Sequence, residues 1–399
     1  MTSPKLRFKG FDGDWNLEIL ADISQIITGN TPATSKREYY DGKFLFVSPG
    51  DMQGNRYVET TKTTLTAEGF SKCRHVPKNS ILFVCIGSTI GKVAQNRITC
   101  ATNQQINAVI PNKGYSSNFL YLLLEKLAPT IKLNAGVQAV PLINKTEFGK
   151  TLLNTPTFEE QTKIASFLSA VDEKISQLTQ KHALLSQYKQ GMMQKLFSQQ
   201  IRFKADDGSE FGAWENKTLG EVGENIIGLT YSPTDVTNDS TGILVLRSSN
   251  IKEGRLDKSD QVRVNKKIKD KIIIQPNDIL ICTRNGSQRL IGKSVIINDD
   301  EIMTFGAFMS VYRSHYNRFI AYLMQTPWFF EQVQMNLGAR INQITTGTLN
   351  EFTFDFPCLE EQTKIANFLS AIDQKIEVVV QQIEQAKQWK KGLLQQMFV

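Results

Sequence analysis

The sequence predicts an α+β protein made by internal duplication: two similar mixed α/β domains separated by two long helices that form an antiparallel coiled coil with pseudo-twofold symmetry. Three observations predict it. EEQTKIASFLSAVDEKI (159–175) returns as EEQTKIANFLSAIDQKI (360–376), 201 residues later. Each copy continues as a segment with heptad spacing of apolar residues. The stretches before the copies resemble each other only faintly, and strands alternate with helices too irregularly for a doubly wound sheet.

The elements follow in order. A first domain spans 1–155. It opens with LRFKGFDGDW (6–15), passes Gly29-Asn30-Thr31-Pro32, and carries VPKNSILFVCIGSTIGKV (76–93). There a proline turn leads into a β-rich run, a polar Gly/Ser loop and Ile-Gly-Lys. NFLYLLLEKL (118–127) reads as a short amphipathic helix and NAGVQAV (134–140) as a glycine-led loop.

A central helical region spans 156–200. Pro156 turns the chain into the helix, and Glu159 and Glu160 complement the dipole of its first turn. Apolar steps of four and three run through Ile164, Leu168, Val171, Ile175, Leu178, Leu185, Met192 and Leu196. His182 falls on this seam as a polar register residue.

The second domain spans 201–356. IRFKADDGSEFGAW (201–214), IQPNDILICTRNGSQRLIGKSV (274–295), RFIAYLMQTP (318–327) and LGARINQI (337–344) echo the first domain's landmarks. A C-terminal helical region, 357–399, follows Pro357 with a seam at Ile365, Leu369, Ile372, Ile376, Val379, Ile383, Ala386, Leu393 and Met397. Without a gap, 159–197 matches 360–398 at 20 of 39 positions. Two matching helices bury their seams against each other.

Bulk properties narrow the function. With 41% hydrophobic and 21% charged residues the composition is that of a globular protein. No run approaches the roughly 18 apolar residues of a membrane span, and the N-terminal sequence lacks a signal-peptide core, so the expected location is the cytoplasm. Five scattered cysteines without a CxxC pair indicate reduced, mostly buried thiols. A net charge of +7 suggests a polyanionic partner. Between 247 and 293 twelve Lys/Arg face five Asp/Glu, a surplus that equals the charge of the whole chain.

No catalytic constellation emerges. GSTIGKV (87–93) and GSQRLIGKS (286–294) miss the spacing of a phosphate loop, with three and five residues between the glycines instead of four. There is no GxGxxG, no tetrapeptide of an amino-group methyltransferase and no HExxH, and the three histidines are dispersed. The chain is therefore expected to be no enzyme, and to bind no metal or cofactor itself.

Loop composition points to DNA. Arg284, Asn285, Ser287, Gln288 and Arg289 gather the preferred base-edge readers in one loop. Ser88 and Thr89, with Asn103, Gln104 and Gln105, offer similar groups in the first domain, and Arg340, Asn342 and Gln343 add a cluster in the second. Thr31, Ser48, Arg56 and Lys92, and Arg247, Lys252 and Lys293, complete the candidate DNA contacts, the basic ones as phosphate contacts.

On the repeated Pro-bracketed helices and on Trp15 followed by Gly29-Asn30-Thr31-Pro32, the chain resembles the specificity subunits of type I restriction-modification enzymes. The resemblance covers essentially the whole chain. The second domain departs from it, with Gly228-Leu229-Thr230-Tyr231-Ser232-Pro233 in place of the compact GNTP. The resemblance implies that each domain is a target recognition domain reading half of a split double-stranded DNA sequence. It implies that the helices act as spacer and as docking surface for two methyltransferase subunits, through Glu160, Gln161, Ile164 and Phe167 and through Glu361, Gln362, Ile365 and Phe368. S-adenosylmethionine, ATP and magnesium are then expected in the methyltransferase and motor-nuclease partners. The alternative is a coiled-coil scaffold that assembles proteins without reading DNA; it leaves the basic surplus and the Asn/Gln/Arg loops unexplained.

Overall fold

Each domain leaves where it enters. In the first, strand Asn16–Ile19 pairs antiparallel with Leu152–Thr155, with Asn16 opposite Thr155 and Ile19 opposite Leu152. In the second, Glu215–Thr218 pairs the same way with Thr353–Phe356. Each exit strand runs through a proline directly into a long helix, Phe158–Phe197 or Leu359–Met397. The computed structural model describes residues 3–54, 56–135, 141–337 and 342–399. It divides into two units: Met1–His182 with Val379–Val399, and Ala183–Val378.

In the first unit a five-stranded sheet runs in the order Ser24–Thr28, Ile106–Pro111, Ile81–Val84, Val93–Asn96, Tyr57–Val58. All pairs are antiparallel except the last. Ile81–Val84 is buried on both faces, hence its unbroken ILFV run. A three-stranded sheet joins Thr63–Leu65, Tyr40–Val47 and Ala101–Thr102. The helix expected over 118–127 extends over Ser117–Leu133, capped by the Ser116 hydroxyl, which accepts from the Phe119 amide. It continues through Pro129 because Ala128 and Ile131 are buried around it, which offsets the lost hydrogen bond.

One core cluster unites Trp15, Phe119, Phe148, Ile164, Leu168, Val171, Leu393, Met397 and Phe398. Domain and both helical segments of this unit therefore share a single apolar interior. The helices run antiparallel here. Leu6 donates to the Gln396 carbonyl, the rings of Phe167 and Trp389 lie edge to face at 6.1 Å, and Asp172 meets Lys390 at 2.8 Å.

The second unit repeats the plan. A four-stranded antiparallel sheet orders Glu224–Ile227, Met309–Arg313, Ile279–Cys282 and Ser294–Ile296. A second sheet orders Val236–Thr237, Arg263–Val264, Ile243–Leu246 and Met303–Phe305. The single helix of the first unit is here two, Asn317–Leu323 and Pro327–Met335, because Thr326 caps a new start just before Pro327. Lys189 meets Asp373 at 2.7 Å. Moved by the 201-residue repeat, this is the same ion pair as Asp172–Lys390, made once in each unit.

The expected seam is buried at Ile164, Leu168, Val171, Leu178, Leu196, Ile365, Leu369, Ile372, Ile376, Val379, Ile383, Leu393 and Met397. Ile175, Leu185, Met192 and Ala386 are half-buried, and Met193 rather than Met192 turns inward. An α-helix drifts about 20° per heptad against a 3.5-residue repeat, which moves the buried position by one near the end of the helix.

The repeated EEQ differs from its expected role. Glu160, Gln161, Ile164, Glu361, Gln362 and Ile365 are all buried within their own units. Arg7 forks onto both Glu160 oxygens at 2.7 Å, and Gln161 donates to the Pro156 carbonyl while accepting from the Ser116 amide. Arg202 forks onto Glu361 at 3.0 and 2.6 Å, Trp214 Nε1 adds a third donor at 3.1 Å, and Gln362 donates to the Pro357 carbonyl. These side chains anchor each domain's N-terminal arm to its helix and are not exposed for a partner. Phe167 and Phe368 remain half-buried, packed edge to face against Phe8 and Phe203.

Candidate nucleic-acid interface

The first domain gathers its polar loops by backbone hydrogen bonds. The Gly29 amide donates to Ile106, the Asn103 amide to Val47, and the Cys85 amide to Gln105. A Cβ on Gly29 would stand 2.2 Å from the Asn103 carbonyl oxygen, so only glycine allows the first loop to lie on the Asn103 loop. Side chains then interlock. Thr31 donates to Gln104 at 2.7 Å, Asn103 to Gln105 at 2.9 Å, and Lys92 to the Pro49 carbonyl at 3.2 Å. Ser48 is fixed by Asp51 at 2.7 Å. Ser88 and Thr89 lie on the hairpin between Ile81–Val84 and Val93–Asn96, whose Gly87 would bring a Cβ within 3.4 Å of Gln105 Nε2. Thr31, Ser48, Ser88, Thr89, Lys92 and Asn103–Gln105 thus form one loop cluster, with Thr31, Ser88, Lys92 and Gln104 exposed.

The second domain builds the same cluster from other residues. Gly228 lies on Gly306 as Gly29 lies on Asn103, its Cβ position 2.3 Å from the Gly306 oxygen. The Thr283 amide donates to Phe308 as Cys85 does to Gln105. The structural counterpart of Asn103-Gln104-Gln105 is therefore Gly306-Ala307-Phe308, and that of the Gly87 hairpin is the Arg284 loop. Phe308 is 58% exposed, and the Arg284 guanidinium lies 4.8 Å from its ring centroid. Such an aromatic–arginine surface is suited to stacking on bases or sugars. Asn285 donates to Ser248 at 2.9 Å, Asn342 to the Gly286 carbonyl at 3.1 Å, and Gln288 to Gln334 at 3.2 Å. Arg284 and Gln343 form a β-bridge. Ser287 is held by Asn285, while Arg289 and Lys293 are exposed on the same hairpin. Arg340 lies outside the described residues.

Phe308 was missed from the sequence. Its signal is a large apolar residue in GAF at the position where the first domain has NQQ, visible only once the loops are aligned in space.

Other expectations change. Arg56 is only 9% exposed and donates to Gln95, Asn118, Ser169 and Asp172, so it is an interior link and no phosphate contact. Arg247 is bound to both oxygens of Asp260 at 2.8 and 2.7 Å. Lys252 meets Asp257 at 2.7 Å and holds its carboxyl well below the usual carboxylate range. Seven of the twelve basic residues of 247–293 are paired, several with acids from outside the segment: Arg255 with Glu377, Lys258 with Asp299, Arg263 with Glu301, Lys266 with Asp235 and Lys271 with Glu224. Lys267, Lys269, Arg284, Arg289 and Lys293 make no ion pair among the described residues. The local surplus is therefore largely neutralised, and the free positive charge concentrates near the Arg284 hairpin. The Gly87–Gly91 and Gly286–Gly292 loops each join two strands and lead into no α-helix, so they lack the helix N-terminus of a phosphate loop.

Among the described residues no group of three or more His, Cys, Asp or Glu could hold a metal, and no helix is long and apolar enough to cross a membrane. The model of the type I restriction modification DNA specificity domain matches the chain twice, at residues 12–187 and 212–388. The chain belongs to that family. Each match takes in one domain and most of the helix behind it.

The chain is 23% identical over 398 residues to the type I restriction enzyme MjaVIII specificity subunit of Methanocaldococcus jannaschii, covering 96% of this chain and 91% of that one. It is 33% identical over 150 residues to the HindI specificity subunit of Haemophilus influenzae, covering 36% and 32%. The structure of a type I S subunit from M. genitalium overlays at a TM-score of 0.63 with 15% identity, covering 100% and 99%. A structure from work on assembly and conformational transition of the type I R-M system gives 0.57, with 16% identity and coverage of 96% and 97%. The duplicated α+β architecture is thus that of solved specificity subunits.

Proposed function

We propose that this specificity subunit is non-catalytic and reads a bipartite DNA target, one half-site per domain, with an unread gap between. The observation that supports the reading is the paired loop cluster. The same glycine-built scaffold carries Thr31, Gln104 and Gln105 in one domain and Arg284, Asn285 and Phe308 in the other. One scaffold with two sets of base-facing groups is what two different half-sites require.

The continuous 40- and 39-residue helices serve in this reading as a spacer. At about 1.5 Å per residue each is roughly 60 Å long, more than one DNA turn of about 34 Å. Duplicated helices give two equivalent surfaces for two methyltransferase subunits. With the buried EEQ residues removed from the expected contacts, docking falls to exposed positions such as Phe158, Tyr188, Leu359 and Trp389. S-adenosylmethionine, ATP and magnesium belong in this reading to partner subunits in the cytoplasm.

The test is methylation of a fragment library by this chain with its methyltransferase partner, read by sequencing. One gapped motif is the expected result. Ungapped or indiscriminate methylation refutes the reading.

A further inference from the structure

Each domain meets its long helices at a charged joint, and the two joints differ. In the first unit Arg56 sends its guanidinium to Gln95 on the domain's sheet (2.7 Å), Asn118 on the domain helix (2.8 Å), and Ser169 and Asp172 on the first long helix (2.7 and 3.4 Å). Asp172 also takes Lys390 at 2.8 Å, and Lys390 reaches Glu125 at 2.7 Å. Side chains of Arg56, Asp172 and Lys390 are only 6%, 16% and 12% exposed. One shielded network therefore ties sheet, domain helix and both long helices together.

In the second unit Arg255 holds the corresponding place, 199 residues on, the same shift that relates Gly29 to Gly228, but on a two-stranded hairpin of its own, Ile251–Lys252 with Arg255–Leu256. Its partner is Glu377 on the second long helix, and the two side chains are 49% and 42% exposed. Asp373, the counterpart of Asp172, takes Lys189 and the Tyr322 hydroxyl but no residue of the sheet among those described. The first joint ties sheet, domain helix and long helices through one shielded network, whereas in the second the Lys189–Asp373–Tyr322 contacts hold the domain helix and the Arg255 side is joined by a wet ion pair that salt screens.

We infer that the Arg56–Asp172–Lys390 network holds the first domain at one angle on its helices and so enforces one gap length, while the Arg255–Glu377 joint lets the second domain yield as salt rises. The inference rests on the bipartite reading proposed above. A gap changed by one base pair moves a half-site about 3.4 Å along the axis and about 35° around it, so a domain can follow only by pivoting at its joint. Arg56, Asp172 and Arg255 are positioning residues that touch no base.

The test uses the full chain with its methyltransferase partner. Duplexes carry the target with the native gap or one base pair more or less, and the ratio of methylation rates is read. Wild type should prefer the native gap by about tenfold or more, and Asp172→Asn should reduce this to about threefold with both half-sites unchanged. Ser169→Ala, a milder loss at the same joint, should give an intermediate ratio. Raising salt should lower the wild-type ratio, and Glu377→Gln should already show the lowered value at low salt. If Asp172→Asn and Ser169→Ala keep the wild-type ratio, or if salt leaves that ratio unchanged, the inference is overturned. Absence of any gapped target in wild type refutes the bipartite reading instead.

Discussion

Replacing Arg7 by alanine should unfasten the first domain's arm at a large and calculable cost. Arg7 makes two 2.7 Å bonds to Glu160, whose side chain is 1% exposed against 14% for the arginine. Removing the arginine leaves a buried carboxylate without its counter-charge, a loss of about 3–5 kcal/mol. The same change at Arg202 should cost less. Glu361 keeps the Trp214 indole donor at 3.1 Å, whereas the Trp15 indole nitrogen is buried without a partner and gives Glu160 no such help. A hydrogen bond to a charged group is worth about 1.5–3 kcal/mol, which sets the expected difference between the two variants. Hydrogen exchange resolved by segment is the suitable assay, because a chain of two units need not unfold in one step. Protection should fall over 158–182 for Arg7→Ala and less over 359–378 for Arg202→Ala. Equal losses in the two variants, or none in Arg7→Ala, would refute the argument.

Arg284→Ala and Arg289→Ala should relax discrimination at particular bases by about 1–3 kcal/mol in competition binding; a uniform loss over all sequences would make them phosphate contacts. Inserting four residues in both long helices, after His182 and after Val378, should lengthen each by about 6 Å and widen the gap by one or two base pairs. Both half-sites should stay unchanged, and methylation mapping of the insertion variant reads both quantities. Burial pulls the Lys390 ammonium down, but Glu125 and Asp172 carry it above its ordinary value. Its contribution to stability is thus complete below the ordinary lysine pKa of about 10.4 and is lost as pH rises through the raised folded value. Denaturation midpoints followed into the alkaline range should fall less steeply for Lys390→Met than for wild type.

The long helices were legible because heptad spacing is a local property, and Ile164, Leu168, Val171 and Leu178 are buried where the spacing put them. The repeated EEQ was legible as important and misread as to why. A repeated anchor and a repeated docking face look alike in sequence, and only the burial of Glu160 and Glu361 separates them. Arg56 was read as a phosphate contact because its acceptors lie 39 to 116 residues away. The basic surplus of 247–293 failed for the same reason, since Asp235, Glu301 and Glu377 neutralise it from other segments. The loop cluster was half visible: the Gly87 hairpin and the Arg284 loop correspond as the repeat predicts, but no sequence signal gave Asn103–Gln105 its counterpart, Gly306–Phe308. Register between loops is a property of the sheet beneath them, which makes Phe308 the second domain's counterpart of Gln105.

The assignment of Val379–Val399 to the first unit has a consequence during synthesis. Phe398 packs on Trp15 and Phe119, with ring centroids 6.2 and 5.2 Å apart, and Leu393 and Met397 close the same interior. The ribosome makes these residues only after the second domain. A nascent first domain therefore waits without the Phe398 side of its interior, beside Trp15 and Phe119, while the entire second domain is translated, so one core is closed only after its neighbour has been made.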